Sequence, residues 1–195
     1  MSKLLSEIFS SGLFEVYSSK PSQELIQINQ VHSNIVKTSE GESLEKIDGD
    51  GIIISYKDLD QKMLAIKTAD CLPILLLGDD SAALIHAGWK GLRDSILIDP
   101  KISKLSPVHI FIGPSIYNYE VTNEFRQNFP DSDAFEDKSG KLFFSLQKEA
   151  LSQLRQAYVN ANIQESRVCT LENNQYNSYR RNKTNERNWN IFRLN

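Results

Sequence analysis

The chain contains few side chains that can act as nucleophiles or soft metal ligands: three histidines and two cysteines among 195 residues. Cys71 and His86 are the pair whose spacing suggests shared chemistry. They flank the turn sequence Gly-Asp-Asp-Ser at 78–81, which predicts an antiparallel hairpin. A two-residue loop at 78–79 places the thiol directly opposite the imidazole, and a loop at 79–80 places them diagonally on one face. A three-residue loop would separate them onto opposite faces.

The remaining histidines and the second cysteine lie in different sequence contexts. His32 follows a strand pattern, and loops after strands are where functional sites are usually assembled. His109 lies inside an apolar strand pattern, which is more typical of a half-buried structural histidine. Cys169 is also enclosed by a strand pattern and is predicted to be part of the core.

Two kinds of chemistry fit a cysteine beside histidines. Thiolate and imidazole are ligands that zinc prefers, and three protein ligands leave a fourth position for water or substrate. Without a metal, His86 could lower the pKa of Cys71, which would then attack a carbonyl as in a cysteine hydrolase. Spacing alone leaves both possibilities open. The chain lacks CxxC pairs, HExxH, GxGxxG and the P-loop pattern, which excludes the commoner zinc, nucleotide and phosphate fingerprints.

Charge is unevenly distributed along the chain. The formal net charge is −3, which argues against general nucleic-acid binding. The segment Arg180–Arg193 holds five basic residues and one acid, so it carries +4 while the rest carries −7. This contrast predicts a local anion site, although a solvated polar tail would explain the same charge equally well.

These candidate residues must be positioned by a mixed α and β architecture with more strand than helix. Several strand patterns are apolar without alternation, which predicts strands covered on both faces. Helical patterns are expected at 92–98, at 121–129 and at 146–158, the last after a possible Ser145 cap. The predicted strands are Leu25–Ile28, Gly51–Ser55, Met63–Lys67, Pro73–Leu77, Ala82–Ala87, Val108–Ile112 and Arg167–Leu171.

Length and composition predict one domain over residues 1–195. The longest apolar stretch, 71–77, is far shorter than the roughly 20 residues of a membrane span. The N-terminus does not resemble a signal peptide, because Glu7 interrupts its apolar region. We therefore expect a cytoplasmic protein without disulfides, since its two cysteines are 98 positions apart in a reducing compartment.

Six short motifs, taken in order, resemble the YfiH/laccase-domain family. This family has long been labelled multicopper polyphenol oxidase and was later described as purine nucleoside phosphorylases with adenosine deaminase activity. The resemblance spans roughly residues 29–187, and the TADC and HAGWKG pieces are highly specific. The motifs are Gln30–His32, Asp50–Gly51, Thr68–Pro73, His86–Leu92, Gly113–Pro114 and Ser178–Arg181.

The resemblance implies an α+β fold, specifically a four-layer α/β/β/α mixed β-sandwich, in a monomeric cytoplasmic protein. It also implies a metal site formed by His32, Cys71 and His86, with zinc as the expected ion and copper as the alternative. This site agrees with the hairpin argument and adds His32, which spacing did not reveal as the third ligand.

The implied substrates are a purine nucleoside (adenosine, inosine or methylthioadenosine) and phosphate, with no nucleic acid or membrane partner. The three metal ligands and Asp70 are assigned to catalysis, and Asp50 is assigned to substrate binding. Asp70 or Asp50 is the candidate for moving protons, and the alternative for Asp70, as the neighbour of a metal ligand, is that it only orients the loop. Lys90, Arg180 and Arg181 are expected to hold phosphate. Because neighbours on an extended chain point to opposite faces, only one of the two arginines should reach the site, and we expect Arg181.

Two motifs depart from the family pattern. The family's frequent Gly-Pro-Cys ends in Ser115 here, and its Thr-Gly-Arg is replaced by Asn185-Glu186-Arg187. Three histidines are too few for a multicopper oxidase, since each copper needs several imidazoles. Oxidase activity is therefore expected only as a side reaction. Two alternatives stay open: a cysteine-type hydrolase acting on a cell-wall precursor, and a non-catalytic zinc-bound interaction module.

Overall fold

The computed structural model describes residues 2–195. Its strands are β1 (Lys3–Phe9), β2 (Gly12–Tyr17), β3 (Leu25–Ile26), β4 (Ile28–Asn29), β5 (Val36–Ser39), β6 (Leu44–Asp48), β7 (Gly51–Ser55), β8 (Met63–Thr68), β9 (Leu72–Leu77), β10 (Ser81–Ala87), β11 (His109–Ile112), β12 (Tyr119–Val121), β13 (Phe135–Lys138), β14 (Lys141–Phe144), β15 (Asn162–Glu165) and β16 (Asn188–Leu194). The α helices are α1 (Tyr56–Leu59), α2 (Trp89–Arg93), α3 (Pro100–Lys104), α4 (Leu146–Ala157) and α5 (Tyr179–Asn182), and 3-10 turns cover Ile96–Ile98 and Asn123–Asn128.

Two large sheets form the centre of the molecule. The five-stranded sheet has the order β1-β2-β16-β8-β3, and the six-stranded sheet has the order β15-β11-β9-β10-β7-β5. The β9–β10 hairpin lies in the middle of the six-stranded sheet, so both of its strands are paired on each side. A three-stranded sheet, β12-β14-β13, and the two-stranded pair β4-β6 complete the topology.

The two large sheets bury one hydrophobic core between them. Phe14, Leu64 and Phe192 of the five-stranded sheet meet Leu75 and Leu84 of the six-stranded sheet in this core, and all five are fully buried. Side chains alternate along a strand, so the other residues of β9 and β10 face away from this core. Continuous apolar sequence is therefore explained by burial on two faces, as predicted.

The second face of the six-stranded sheet is covered mainly by helices. Ile74 and Ile85 from the central hairpin pack there against Leu92 of α2 and Leu154 of α4. Helix α4 begins after Ser145, whose hydroxyl accepts a hydrogen bond from the backbone N–H of Lys148 at 3.3 Å. The predicted cap and the apolar stripe of this helix are confirmed.

The mixed α+β class is confirmed, but one predicted layer is not seen. On the outer face of the five-stranded sheet, Leu25, Met63, Ala65 and Ile191 form a small cluster that includes no helical residue from the described part of the chain. Within residues 2–195, the helical layer expected on this face is thus not seen, and the partly buried neighbours Tyr17 and Trp189 pack against the cluster.

Five strand predictions agree with the structure to within one residue, namely those at 51–55, 63–67, 73–77, 82–87 and 108–112.

The strand expected at Arg167–Leu171 is wrong, because only an isolated bridge joins Cys169 to Ser115 and the regular strand is β15. The helix expected at 92–98 is also wrong, since Ser95 adopts a left-handed conformation and separates α2 from a 3-10 turn. The pattern at 121–129 forms the end of β12 and a second 3-10 turn, and the predicted strand 25–28 is split between β3 and β4.

Within residues 2–195, no helix combines the length and the hydropathy that crossing a membrane would require.

Burial in the core between the sheets leads to a stability prediction. We expect Ile54→Ala to lower the free energy of unfolding by about 2–5 kcal/mol, because it removes a fully buried side chain and leaves a cavity. Ile8→Ala is the matched control, since Ile8 is 77% exposed and its loss should change little. Chemical denaturation of both variants measures the difference, and equal effects would contradict the assignment of this core.

Candidate metal centre

Three of the predicted site residues come together at one end of the six-stranded sheet. His32, Cys71 and His86 each offer one ligand atom, and these atoms lie within 4.8 Å of one another. The centroids of the two imidazole rings are 4.7 Å apart, and the ring planes are nearly perpendicular. In the part of the chain that the structure describes, no other such group of histidine, cysteine and carboxylate side chains occurs. One ion could therefore be shared by all three donors.

The hairpin register explains how Cys71 and His86 meet. His86 pairs with Pro73, and Ala82 pairs with Leu77, so the loop consists of residues 79–80. This is the second of the two registers that placed both residues on one face, and Cys71 lies diagonally from His86. Because the hairpin is central in its sheet, neighbouring strands fix the position of both side chains.

The carboxylate of Asp50 holds both histidines. It is fully buried and accepts a hydrogen bond from His86 Nδ1 at 2.7 Å. It also accepts hydrogen bonds from the backbone N–H of Val31, His32 and Ser33 and from the Ser33 hydroxyl. Since a carboxylate only accepts, Nδ1 of His86 donates the proton of this hydrogen bond, and Nε2 is the ring nitrogen that would bind an ion.

Electrostatics favour a thiolate at this site. Burial alone would raise the pKa of Cys71, but His86 and His32 outweigh burial and bring this pKa down to about 6. Burial alone would lower the pKa of His86, but Cys71 and Asp50 raise it to about 9. The hydrogen bonds from His86 and Ser33 likewise overcome burial and hold the pKa of Asp50 below its usual value. A deprotonated cysteine is the form that binds metal or attacks an electrophile.

Gly88 leaves the space that this cluster needs. A Cβ atom at this position would lie 3.2 Å from the Cys71 sulfur and 3.5 Å from a carbon of the His32 ring. Any larger side chain would therefore crowd the ligands. This contact accounts for the glycine between β10 and α2.

The ligands open onto a cavity of about 540 Å³. Four cationic side chains line it, and we refer to Lys67, Arg180, Lys183 and Arg187 as the cationic lining. Apolar and aromatic side chains also contribute, namely Trp89, Ile116, Tyr119, Leu146 and Tyr179. A cavity of this size, with both kinds of surface beside a metal site, suits an anion together with a flat organic ligand.

Other predicted residues lie elsewhere. Lys90 is exposed on α2 and does not line the cavity; its ammonium lies 5.7 Å from the Trp89 ring. Arg181 is also outside the lining, because its guanidinium donates hydrogen bonds to the backbone carbonyls of Thr170, Leu171, Asn173 and Tyr176. Only one of the two neighbouring arginines reaches the cavity, as expected, but it is Arg180 rather than Arg181.

The carboxylates of the two aspartates that were expected to act on substrate accept hydrogen bonds from other groups of the protein. Asp50 does not line the cavity, since its oxygens are used by the His32 loop and His86. Asp70 lines the cavity, but its Oδ1 accepts a hydrogen bond from the Thr170 hydroxyl and its Oδ2 accepts one from the backbone N–H of Arg180, both at 2.7 Å.

Lys67 lines the cavity and was not predicted. It lies two and four positions before Ala69 and Cys71, which also line the cavity. Lys67 lies in β8, whereas Ala69 and Cys71 lie in the bend that follows it, so the turn between β8 and β9 brings these residues to the cavity and strand alternation in the sequence does not predict it.

His109 begins β11, paired with Leu77 and Asn162, and Cys169 is buried, both as expected.

The sequence has clear relatives. A sequence model of the family described as multi-copper polyphenol oxidoreductase laccase matches residues 12–194. The chain is 35% identical over 147 residues to a purine nucleoside phosphorylase of Aquifex aeolicus, covering 72% of this chain and 68% of that protein. It is 31% identical over 175 residues to the purine nucleoside phosphorylase YfiH of Escherichia coli, covering 82% of this chain and 69% of that protein. For the relative from Rickettsia conorii, the aligned part spans 64% of its length, somewhat less than two thirds.

Crystal structures share the fold. A Neisseria meningitidis protein superimposes with a TM-score of 0.73 at 26% identity, covering 89% of this chain and 76% of that chain. The YfiH protein of Bacillus licheniformis superimposes with a TM-score of 0.74 at 21% identity, covering 88% of this chain and 74% of that chain.

The ligand geometry predicts how zinc content responds to mutation. We expect purified protein to bind about one zinc ion per chain and Cys71→Ala to lose most of it, because removing one of three ligands weakens binding severely. Elemental analysis measures the stoichiometry. Cys169→Ala is the matched control, since this buried cysteine lies outside the cluster. Equal zinc in wild type and Cys71→Ala would refute the ligand assignment.

The lowered pKa of Cys71 predicts unusual thiol reactivity in protein stripped of metal. A thiolate is present above the pKa and is lost below it, so alkylation by iodoacetamide should stay fast at neutral pH and slow as the pH falls through about 6. Added zinc should protect the thiol. Mass spectrometry measures alkylation, and Cys71→Ala shows the background from other residues. If the alkylation rate has its midpoint at the pKa of an ordinary thiol, about 8.5, the prediction is contradicted.

Proposed function

The chain belongs to the multi-copper polyphenol oxidoreductase laccase family, which includes the YfiH-like purine nucleoside phosphorylases, and from this membership we propose that it phosphorolyses purine nucleosides. The proposed substrates are adenosine, inosine and methylthioadenosine, with deamination of adenosine as a second activity. One observation carries this proposal: the ligand cluster and the cationic lining share one cavity of about 540 Å³.

Phosphorolysis needs a cationic site for inorganic phosphate near the ribose. The cationic lining supplies it, and three of its members come from the C-terminal basic segment predicted to bind an anion. Arg180 is the best-placed phosphate ligand, because guanidinium binds phosphate through two parallel hydrogen bonds. Lys67, Lys183 and Arg187 add positive charge around it.

The donor set suits zinc. His32, Cys71 and His86 would hold the ion, because imidazole nitrogen and thiolate sulfur are ligands that zinc prefers. When bound there, zinc would supply a redox-silent Lewis acid that can polarise a leaving purine or activate a water molecule. Three histidines in the whole sequence are too few for a cluster of several coppers, so single-ion chemistry fits the chain better.

The chain's own groups would bind and orient the nucleoside. Trp89 and Tyr179 line the cavity and offer aromatic faces on which a purine can stack. Trp89 is anchored by edge-on packing against Phe125, with 5.3 Å between the two ring centroids. Tyr179 is 50% exposed and free to adjust to a ligand. The basic residues of the lining would then face the ribose and phosphate.

A cysteine-type hydrolase acting on a cell-wall precursor is the second candidate, favoured by the thiolate character of Cys71. In that reaction Cys71 would attack a carbonyl and His86 would donate a proton to the leaving group. The two candidates respond differently to metal. Chelation should abolish metal-assisted phosphorolysis but leave or increase hydrolysis by a free thiolate. A non-catalytic zinc-bound module would show neither activity.

We expect wild-type protein supplied with inosine and phosphate to release hypoxanthine and ribose 1-phosphate, and adenosine to be deaminated without phosphate. His86→Ala should abolish both, because the ligand cluster is broken. Chromatography of the products measures each activity. His109→Ala is the matched control, since it removes a histidine outside the site. Turnover by His86→Ala at the wild-type rate would place the chemistry elsewhere.

A further inference from the structure

Asp70 connects two parts of the cavity that are far apart in sequence. It precedes the ligand Cys71, while its bonding partners Thr170 and Arg180 lie 100 and 110 positions away. The carboxylate is 9% exposed and Thr170 is fully buried. The link is therefore a shielded pair of charge-assisted hydrogen bonds rather than a contact at the surface.

The backbone around Asp70 is also held tightly. Its φ angle is +90°, a conformation that L-residues rarely adopt, and its carbonyl accepts a hydrogen bond from the backbone N–H of Ile116 at 3.0 Å. The turn between β8 and β9 thus presents neighbouring side chains in two directions: Cys71 meets the histidines, and Asp70 meets the C-terminal segment.

The C-terminal segment carries most of the cationic lining. Arg180 donates its backbone N–H to Asp70, and its guanidinium stacks on the Tyr119 ring at 5.0 Å and donates to the Glu120 carbonyl. Lys183 and Arg187 follow on the same short stretch of chain. The Arg180 backbone is thus one point at which this segment is attached to the metal-ligand loop, and the pairing of Asn188 with Thr68 attaches the other end of the segment beside the same loop.

Resting on the phosphorolysis proposed above, we propose that Asp70 is a positioning residue that holds the segment bearing Arg180, Lys183 and Arg187 against the metal-ligand loop and so sets the affinity for the anionic reactant. Both carboxylate oxygens accept hydrogen bonds from the protein, which distinguishes this role from the proton transfer expected from sequence. Phosphate affinity, rather than the rate of bond cleavage, depends on Asp70.

A pair of substitutions separates positioning from proton transfer. Asp70→Ala removes both hydrogen bonds. Asp70→Asn keeps them, because its amide oxygen can accept from the Arg180 N–H while its amide nitrogen donates to the Thr170 hydroxyl, which can act as an acceptor. A proton-transfer group would be lost equally in both variants, whereas a positioning group is largely restored by asparagine.

Steady-state kinetics with inosine and varied phosphate provide the first readout. Asp70→Ala should raise the KM for phosphate by about tenfold or more, the usual effect of losing a hydrogen bond to a charged group, with a much smaller change in kcat. Asp70→Asn should recover most of this loss. Asp131→Ala, which removes an exposed acid elsewhere, controls for the change in net charge. A KM for phosphate unchanged in Asp70→Ala, or equal loss of kcat in both variants, would overturn the proposal.

Hydrogen exchange of residues 178–187 provides a readout that needs neither turnover nor metal. The Arg180 amide should exchange faster in Asp70→Ala than in wild type and be protected again in Asp70→Asn. If Asp70→Ala does not fold, Thr170→Val removes one of the two hydrogen bonds and should shift KM and exchange in the same direction. Should wild type show no phosphorolysis, the proposed function fails, while exchange and direct calorimetric titration with inorganic phosphate still decide the role of Asp70. Unchanged exchange in Asp70→Ala would refute it.

Discussion

The hydrogen bonds to the buried carboxylate of Asp50 are the interactions on which the candidate metal site depends. A charge with no exposure to water is costly unless hydrogen bonds replace its hydration, and here the Ser33 hydroxyl, His86 Nδ1 and three backbone N–H groups do so. The same bonds fix the tautomer of His86 and the course of the loop that carries His32. Removing the carboxylate would therefore disturb two of the three clustered side chains at once, although Asp50 is not a member of the cluster itself.

The large sheets make this arrangement rigid. The central β9–β10 hairpin is packed on both faces, so the positions of Cys71 and His86 are set by two hydrophobic cores as well as by the turn. His32 comes from a loop outside the large sheets and has no such support. This difference explains why its loop needs hydrogen bonds to Asp50, while His86 is positioned by strand pairing and Cys71 directly precedes β9.

Local patterns in the sequence were sufficient for the central strands, helix α4 and the Cys71–His86 pair, because pairing across a short hairpin follows from simple arithmetic. The pairing of β16 with β2 and β8 was missed. Both partners lie more than a hundred residues before β16, and no local sequence pattern predicts the register of strands that are so far apart. The choice between Arg180 and Arg181 failed for a different reason. The argument assumed an extended chain, but both residues lie in the short helix α5, where successive side chains do not alternate between opposite faces.

The hydrogen-bond partners of Asp50 and Asp70 were also beyond sequence reasoning, and for a common physical cause. Each lies beside or near a ligand, which suggests chemistry, yet its function is determined by remote donors that only the fold brings near. Two ligand-bearing loops contain a residue with positive φ, at His32 and at Asp70. Such conformations cost about 1–3 kcal/mol each and persist only where surrounding contacts hold them. In each loop those contacts include a buried carboxylate: Asp50 binds the backbone of His32, and Asp70 itself binds Thr170 and Arg180. Strain in the two ligand-bearing loops is thus offset by hydrogen bonds formed on folding, and these bonds help to hold the three donor atoms within 4.8 Å of one another.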